Sequence, residues 1–449
     1  MIGERALKAA AEGTLQRARR AGGAGAEAEV LLVARDSALT RFAENQIHQH
    51  VAERDVDVRV RVALGKKVGA ATVNGLHEGV LERAVEQALA AARLQRENPD
   101  FPGFPGPAPL PETPPGSGFV AATAEATAES RADRVGAVCR RAAGAGLVAA
   151  GACSTAVREE VVANSAGTYA YQAGTAARLL TVVAGDTSSG YSSRRGPDFA
   201  AIEAAEVAEE AAGKAERGRD PQDLEPGAYD VVLEPYAVDD LLSFVAYLGL
   251  QGRALLERTS FATGKLGQRL LSEAITLRDD PLDPAGDVDR FDAEGVPKGP
   301  LTLVQAGVVR AVTYDTLTAA RAGTQSTGHA QRGASYYGPV ASHLRLDPGN
   351  LSREELIGKI DRGLLVTRFW YTRAVHPLSV TVTGMTRDST FLIERGEVTR
   401  PVKNLRFTES YVAALGRILG VGAAPLQTDS SRTPALAIQG FTFTGKSDY

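Results

Sequence analysis

The chain has 449 residues, long enough for about two or three domains with a sizeable core. Hydrophobic residues make up 44% of it and charged residues 23%, which is typical of a globular protein and excludes the disordered, collagenous and coiled-coil classes. Its 50 basic and 54 acidic side chains leave a net charge of −4 without a long run of like charge, so no nucleic-acid partner is expected.

The N-terminal stretch predicts a helix, an antiparallel meander and a second helix. Residues 4–20 are rich in Ala, Leu and Arg and are followed by Gly22 and Gly23, the pattern of a helix with a glycine stop. Residues 27–73 contain Val- and Leu-rich runs with a period of two, which predicts antiparallel strands. Residues 77–95 return to helical spacing, so a second helix can cover one face of that sheet.

Eight prolines lie within residues 99–118, and this composition predicts an extended, semi-rigid strap rather than a helix or strand. The elements predicted beyond the strap are a helix near 121–145, strands at 147–163 and 168–184, and a helix at 198–217. They repeat the element order of the N-terminal stretch without repeating its residues. We therefore expect one N-terminal α+β domain, residues 1–220, that contains both halves.

The polar segment 216–227 contains two prolines and is the predicted interdomain linker. Residues 228–449 are then expected to form a β-rich C-terminal domain. Its predicted elements are a helix at 237–252 and strands at 229–234, 301–305, 308–314, 342–346, 364–371, 378–384 and 390–394. The spacing of Ser352 and Glu355 is that of a capping box, which predicts a short helix near 353–361. The fold class is α+β: an N-terminal helix/antiparallel-sheet domain followed by the β-rich domain.

Hydropathy and cysteine content indicate a cytoplasmic protein. The most apolar stretch, residues 241–250, is about half of the roughly 20 residues needed to cross a bilayer, and residues 4–20 lack the apolar region of a signal peptide. Only Cys139 and Cys153 occur, too few for a disulfide framework or a thiolate metal cluster. Both are expected to be buried thiols.

The common metal, phosphate and hydrolase motifs are missing from the sequence. His48 and His50 share one face of a predicted strand and could chelate a metal with Glu44, but no third ligand has metal spacing, so we expect exposed histidines. The acidic stretch 279–292 lacks the ligand spacing of an EF-hand and is expected to be a solvated loop. No GxSxG, GxxxxGK[ST] or strand-linked GxGxxG motif is present.

Five short motifs, in this order along the chain, resemble the TldD/PmbA peptidase family. They are TRFAENQI at 40–47, FDAEGVP at 291–297, YD at 314–315, STG at 326–328 and GEVTRPVK at 396–403. The resemblance implies an N-terminal α+β domain and a β-rich C-terminal domain, the same division that composition indicates. The motif residues that it singles out are Arg41, Phe42, Asn45, Asp292, Glu294, Gly295 and Asp315.

The same resemblance implies one of two subunit types. The family pairs a metallopeptidase subunit, which has a HExxxH helix and a later cysteine ligand, with a partner that lacks both. Here Ser243 and Leu248 occupy the histidine positions, Phe244 occupies the glutamate position, and no cysteine follows residue 153. Zinc needs thiolate, imidazole or carboxylate ligands, so the resemblance implies the metal-free TldE/PmbA-type subunit. The spacing of residues 241, 242, 245 and 248 is also that of an ordinary core face.

The expected function is therefore that of a non-catalytic subunit in a heterodimeric TldD/TldE-type metallopeptidase complex that degrades or trims unfolded peptides. Zinc is expected in the TldD-like partner and not in this chain, which is expected to be inactive alone. An alternative stays open: a stand-alone hydrolase or peptide-binding protein. It would use the loops near Asp292, Glu294, Asp315 and His329, where carboxylates and a histidine could bind a metal or transfer protons.

Overall fold

The computed structural model describes residues 1–332, 338–429 and 431–447, and its fold class is α+β, as predicted. The N-terminal half consists of helices α1 (Glu4–Gly22), α2 (Glu78–Leu94), α3 (Ala121–Ala124), α4 (Ala128–Gly144) and α5 (Ala204–Arg217), and of strands β1 (Ala26–Ala43), β2 (Gln46–Leu64), β3 (Lys67–Asn74), β4 (Val148–Asn164), β5 (Tyr169–Ala184) and β6 (Ser189–Gly196). The predicted helix at 121–145 is divided in two, because Thr127 caps α4 by accepting a hydrogen bond from the Ser130 amide.

One antiparallel sheet contains all six of these strands in the order β3-β2-β1-β4-β5-β6. The central strands β1 and β4 pair from Glu29 opposite Asn164 to Phe42 opposite Gly151. The sheet therefore consists of two three-stranded meanders, each with its own pair of long helices, and the pairing of β1 with β4 joins them. The repeated element order in the sequence corresponds to this arrangement.

The sheet is covered on both faces by different partners. The helices α1, α2, α4 and α5 pack on one face. On the opposite face, Leu31 and Val33 contact Phe291 and Ala293 from the C-terminal half. Strand β1 is consequently buried on both faces near residues 28–34, which explains its continuous apolar run.

The proline-rich strap contains neither helix nor strand between residues 99 and 118, as its composition predicts. Phe104 is buried, and the Pro105 carbonyl accepts a hydrogen bond from Asn164 Nδ2 at 2.8 Å. The Pro111 carbonyl accepts one from Arg290 Nε at 2.7 Å. The strap therefore contacts both halves of the molecule.

The C-terminal half is β-rich. Its helices are α6 (Pro235–Gly249), α7 (Gly252–Leu256), α8 (Thr316–Ala322), α9 (Arg353–Gly358) and α10 (Tyr411–Gly416), with a 3-10 turn at Pro377–Ser379, and its strands are β7 (Gly227–Leu233), β8 (Leu277–Asp279), β9 (Leu301–Gln305), β10 (Val308–Val309), β11 (Leu344–Leu346), β12 (Arg362–His376), β13 (Thr381–Glu394), β14 (Glu397–Val402), β15 (Leu405–Ser410), β16 (Ile418–Val421), β17 (Leu426–Gln427), β18 (Ser431–Thr433) and β19 (Leu436–Lys446). No helix among the described residues is long and apolar enough to cross a membrane.

Five strands of this half close on themselves. The order β12-β7-β19-β15-β13 returns to its start because β13 also pairs with β12. Phe369, Phe407 and Phe441 pack against one another in the core, with ring centroids 4.5 to 5.6 Å apart. A second sheet has the order β10-β9-β8-β11-β18-β17. Helix α6 contributes apolar residues to the core that contains Phe369, Phe407 and Phe441.

Candidate functional site

Helix α6 carries the three positions at which the family resemblance puts the metal motif. Pro235 at its first turn favours helix initiation, and Leu241, Leu242 and Val245 recur at helical spacing. These three side chains are fully buried in the C-terminal core. The position of α6 is therefore fixed by packing.

Two of the three motif positions contribute to packing rather than to a polar site. Phe244 and Leu248 are half-buried against the apolar core. The Phe244 ring meets Tyr411 edge to face, with centroids 6.0 Å apart and an interplanar angle of 78°. Ser243, the third position, is half-buried and lines a polar cavity instead.

The cavity beside Ser243 has a volume of about 240 Å³. Its other polar lining residues include Arg178, Tyr191, Ser193, Tyr236, Asp239, Asp240, Arg368, Thr428 and Asp429. The arginines of this cavity are already paired: Arg178 with Asp429 at 2.7 Å, and Arg368 with Asp388. The cavity is polar, and both of its arginines have carboxylate partners within the chain.

Asp240 is an acid of this cavity with two hydroxyl partners. Its carboxylate accepts hydrogen bonds from Thr372 Oγ1 at 2.8 Å and from the Tyr411 hydroxyl at 2.9 Å. Burial raises the pKa of Asp240 to about 6, and the two hydrogen bonds oppose that rise. Asp240 was not predicted as a site residue; the available signal was two adjacent acids, Asp239 and Asp240, on an otherwise apolar helix.

Zinc does not fit the residues on α6. A hydroxyl, a phenyl ring and an isobutyl group stand at the three positions, and none of these is a usual zinc ligand. Within the described ranges, no three His, Cys, Asp or Glu side chains are grouped so that they could hold a metal ion. Cys139 on α4 and Cys153 on β4 are buried thiols, as expected, and burial raises the pKa of Cys153 to about 11. His48 and His50 are exposed on β2.

The motif residue Asp292 holds a loop together. One carboxylate oxygen accepts the backbone amides of Glu294 and Val296 at 2.9 and 3.0 Å, and the other accepts that of Ala330 at 2.9 Å. Burial and the nearby Glu294 raise the pKa of Asp292 to about 7. Gly295 has a φ of 76°, and a Cβ there would lie 2.8 Å from Thr168 of the N-terminal half.

Glu294 and Asp315 connect this loop to its surroundings. Glu294 Oε1 lies 3.1 Å from Arg61 Nη2, and Oε2 accepts the Thr316 amide at 3.0 Å. Asp315 is the N-cap of α8, where it accepts the Thr318 amide at 2.8 Å. Glu294 therefore contacts the N-terminal half, whereas Asp315 caps the start of α8.

His329 is buried beside the same loop, but it faces a different acid. Its Nε2 lies 3.0 Å from Asp279 Oδ2 and its Nδ1 lies 2.9 Å from Thr327 Oγ1. Burial lowers the pKa of His329. The four residues of the alternative hypothesis thus lie in one region, yet both side-chain polar atoms of Asp292, Glu294 and His329 have protein partners.

The motif residues near the N-terminus support the β1–β2 turn. Asn45 has a φ of 58° in this turn, and its side chain donates to the Leu147 carbonyl at 2.9 Å and accepts the Ala149 amide at 2.8 Å. Phe42 is buried with α4 and α5, whereas Arg41 is exposed. The amino-terminal motif therefore joins a hairpin tip to the start of β4.

The acidic stretch 279–292 is not the solvated loop that the sequence analysis expected. Asp279, Asp283 and Asp289 are buried, with exposed fractions of 0%, 8% and 2%. Asp289 pairs with Arg158 and Arg332, and Asp283 pairs with Arg432. Arginines more than 40 residues away along the chain neutralise Asp283 and Asp289, which local sequence does not reveal.

Three family models match the chain in order: the PmbA/TldA metallopeptidase domain 1 at residues 28–92, the central domain at 114–219 and the C-terminal domain at 226–445. A metalloprotease of Methanothermobacter thermautotrophicus is 29% identical over 204 residues, which are 44% of this chain and 43% of that protein. A metalloprotease TldD homolog of Haemophilus influenzae is 24% identical over 218 residues, 44% of each chain. The chain thus matches less than half the length of these curated relatives.

A solved structure resembles nearly the whole chain. The crystal structure of TldE from Thermococcus kodakarensis superposes with a TM-score of 0.89 at 22% identity, covering 97% of this chain and 100% of that one. At this identity the likeness establishes the fold alone.

Proposed function

Because this chain belongs to the PmbA/TldD metallopeptidase family, we propose that it is the non-catalytic subunit of a TldD/TldE-type complex that degrades or trims unfolded peptides. Its partner is a TldD-like subunit that carries the HExxxH motif. The zinc of that partner would activate a water molecule for peptide-bond hydrolysis. The complex is cytoplasmic in this proposal, and unfolded leader segments are among its substrates.

One observation carries the proposal: α6 keeps the position and packing of a core helix while its motif positions lack metal ligands. Phe244 packs against Tyr411, and Leu248 packs against the core. Of the three motif positions, Ser243 lines the polar cavity. The residues of this chain would therefore support the complex by shape and contact, enclosing the partner's site rather than performing the cleavage.

A strand edge is available for an unfolded peptide. Strand β3 pairs with β2 only at residues 57–64, and the Gly75 amide donates to the Val56 carbonyl, so among the described strands the outer edge of residues 46–55 has no neighbour. Most side chains of this segment are exposed. An extended peptide could add to such an edge through main-chain hydrogen bonds, which demand little of its sequence.

The stand-alone hydrolase is disfavoured by geometry. A catalytic acid or base must reach a substrate atom, whereas Asp292 accepts three backbone amides and Glu294 is held by Arg61 and Thr316. His329 is 1% exposed and contacts Asp279. These contacts are typical of residues that hold a loop in place.

The test combines metal analysis with reconstitution. The isolated chain is analysed for bound zinc and assayed against an unstructured peptide, alone and after mixing with the purified HExxxH relative from the same genome. We expect no stoichiometric zinc, no cleavage by the isolated chain, and a stable complex whose cleavage of the peptide differs from that of the relative alone.

Two results would contradict the proposal. The first is about one tightly held zinc per isolated chain, the stoichiometry of a catalytic site. The second is the absence of any complex with the HExxxH relative. If the isolated chain cleaves the peptide, Asp292→Asn and Glu294→Gln test the alternative site directly.

A further inference from the structure

The closed sheet of β12, β7, β19, β15 and β13 is called the barrel from here on. A run of exposed apolar side chains lies at one end of it. We call residues 368–381 the aromatic hairpin; it comprises the end of β12, the 3-10 turn and the start of β13. Its large exposed apolar residues are Trp370, Tyr371, Val375 and Leu378, with exposed fractions of 41%, 67%, 56% and 48%. Single exposed apolar side chains are ordinary, but several in so short a segment indicate an interaction surface.

The aromatic hairpin projects from the body of the molecule. A strand that covers a core buries alternate side chains, whereas residues 370–378 are exposed on both faces apart from the half-buried Thr372. Strand β7 pairs with β12 only at residues 363–366, so beyond that point β12 has β13 on one side alone. A projecting element of this kind suits a concave surface on a partner.

The hairpin and the adjoining parts of β12 and β13 carry charge of one sign. Residues 362–387 contain four arginines and no Asp or Glu. Arg387 lies 5.2 Å from the Trp370 ring centroid, and Arg373 lies 5.5 Å from that of Tyr371. Within the described part of the chain, neither Arg373 nor Arg387 forms an ion pair. Their charge is therefore left for a partner that carries acidic groups.

The root of the hairpin is held in place while its tip is exposed. Thr372 Oγ1 donates to Asp240 on α6 at 2.8 Å. Ser410 Oγ donates to the Ser379 carbonyl at 2.7 Å, and Val380 is fully buried. A surface fixed before binding loses less conformational entropy when a partner docks.

We propose that the aromatic hairpin is the surface through which this chain docks into a concave, acidic-rimmed apolar site on the HExxxH subunit, an inference that rests on the proposed function. Trp, Tyr and Arg are the residues that most often dominate binding energy at interfaces. Arg368 and Phe369, at the root of the hairpin, line the same cavity as Ser243. The docked subunit therefore lies beside that cavity.

Charge and shape favour this occupant over two others. In a symmetric dimer of this chain, the same surface would face itself and bring Arg373 and Arg387 against their own copies, which repel. An extended peptide would bind a strand edge or a groove rather than cover a projecting tip. A folded partner with a concave acidic face matches both the positive charge and the projecting shape of the hairpin.

Trp370 is the single tryptophan of the chain and gives a direct probe of docking. Fluorotryptophan incorporated into this chain alone gives one fluorine NMR signal, which is followed while the unlabelled HExxxH relative is added. We expect the signal to shift or broaden on binding and Trp370 to become protected from a soluble quencher. Affinity is measured in parallel by calorimetry at low and high salt, and we expect it to fall as salt rises.

Two variants of the hairpin keep the tryptophan reporter. Arg373→Glu with Arg387→Glu reverses the charge, and Val375→Ser with Leu378→Ser removes exposed apolar area. Each is expected to weaken binding by about tenfold or more while thermal unfolding of the isolated chain stays the same. If one of these double variants does not fold, the other one decides the test.

The end of α2 offers a matched control, because Leu94 is 88% exposed and stands between the exposed Arg93 and Arg96. Arg93→Glu with Arg96→Glu, and Leu94→Ser, should leave binding unchanged.

The inference would be overturned, while the proposed function stands, if both hairpin variants still form the complex and the fluorine signal does not move when the relative is added. If the wild-type chain forms no complex, or self-associates through Trp370, the inference fails, and in the first case the proposed function fails with it.

Discussion

Arg61 of β2 donates to Glu294 of the C-terminal half at 3.1 Å, and the same guanidinium is 2.7 Å from Glu29 of β1. The side chains of Glu29 and Glu294 are 4% and 8% exposed. One arginine therefore compensates two buried carboxylates on opposite sides of the junction between the halves. Removing it would leave both acids buried without their partner.

Arg61→Ala should destabilise the protein by about 3–5 kcal/mol at a pH where both acids are ionised, because breaking a buried ion pair leaves uncompensated charge. Chemical denaturation at pH 8 measures this. The control is Arg35→Ala, which removes the exposed pair with Asp57 at 3.2 Å and should cost less than about 1 kcal/mol. Equal effects of the two substitutions would show that Arg61 contributes no more than a surface arginine.

Glu29 should make the stability of the protein depend on pH. Burial raises its pKa from 4.5 to about 7, although Arg61 opposes the rise. The folded state therefore binds this proton more tightly than the unfolded state, so its contribution is fully present below pH 4.5 and declines as the pH rises to about 7.

The comparison variant is Glu29→Gln, which cannot titrate. The unfolding free energy of the wild-type protein relative to this variant should fall by up to about 3 kcal/mol between these two pH values, then stay constant. Denaturation curves at half-unit pH intervals measure the difference. A difference that does not change with pH would mean that Glu29 is already ionised in the folded protein.

Restoring the motif on α6 should not create a peptidase. Ser243→His, Phe244→Glu and Leu248→His together supply two histidines and a base, but a catalytic zinc needs three protein ligands. The substitutions at 244 and 248 also remove core contacts, so the triple variant should lose about 2–4 kcal/mol of stability.

Ser243→His alone is the matched control, because Ser243 faces the cavity and its replacement disturbs the core less. Stability, zinc affinity and peptide cleavage are measured for both variants. Zinc-dependent cleavage of an unstructured peptide by the isolated triple variant would show that a third ligand already exists in this chain.

Cutting the proline-rich strap should leave the protein folded. Residues 106–109 are exposed, and the strap takes no part in the sheets. A specific protease site introduced there should yield two fragments that stay associated and unfold in one cooperative transition. Loss of that transition, followed by far-ultraviolet circular dichroism, would show that contacts such as that of Arg290 with the Pro111 carbonyl depend on an uncut strap.

The sequence predicted the parts of this protein that depend on local periodicity. The N-terminal meander, the helix predicted at 237–252 and found at 235–249, and the strap all follow from spacing and composition. The barrel does not, because its closure needs β12 to pair with both β7 and β13. Strands that pair across such distances carry the same alternating pattern as strands that do not.

The candidate site, too, could be predicted from the sequence only in part. That Ser243, Phe244 and Leu248 are not usual zinc ligands is visible in the residue types alone. The contact of Arg61 with Glu294 spans 233 positions, and no local pattern marks either residue as the other's partner. The same holds for the arginines that neutralise the acidic stretch.

The closed barrel also sets an order of events during synthesis. Strand β7 opens the barrel in sequence, yet its neighbour β19 is made roughly 200 residues later, which takes about 10–40 s at ordinary rates of translation. During that interval the edge of β7 that pairs with residues 436–443 is unprotected. The N-terminal sheet needs no later segment to complete its pairing. The nascent chain thus carries a finished sheet followed by an unfinished one, and the second is where a chaperone would be needed.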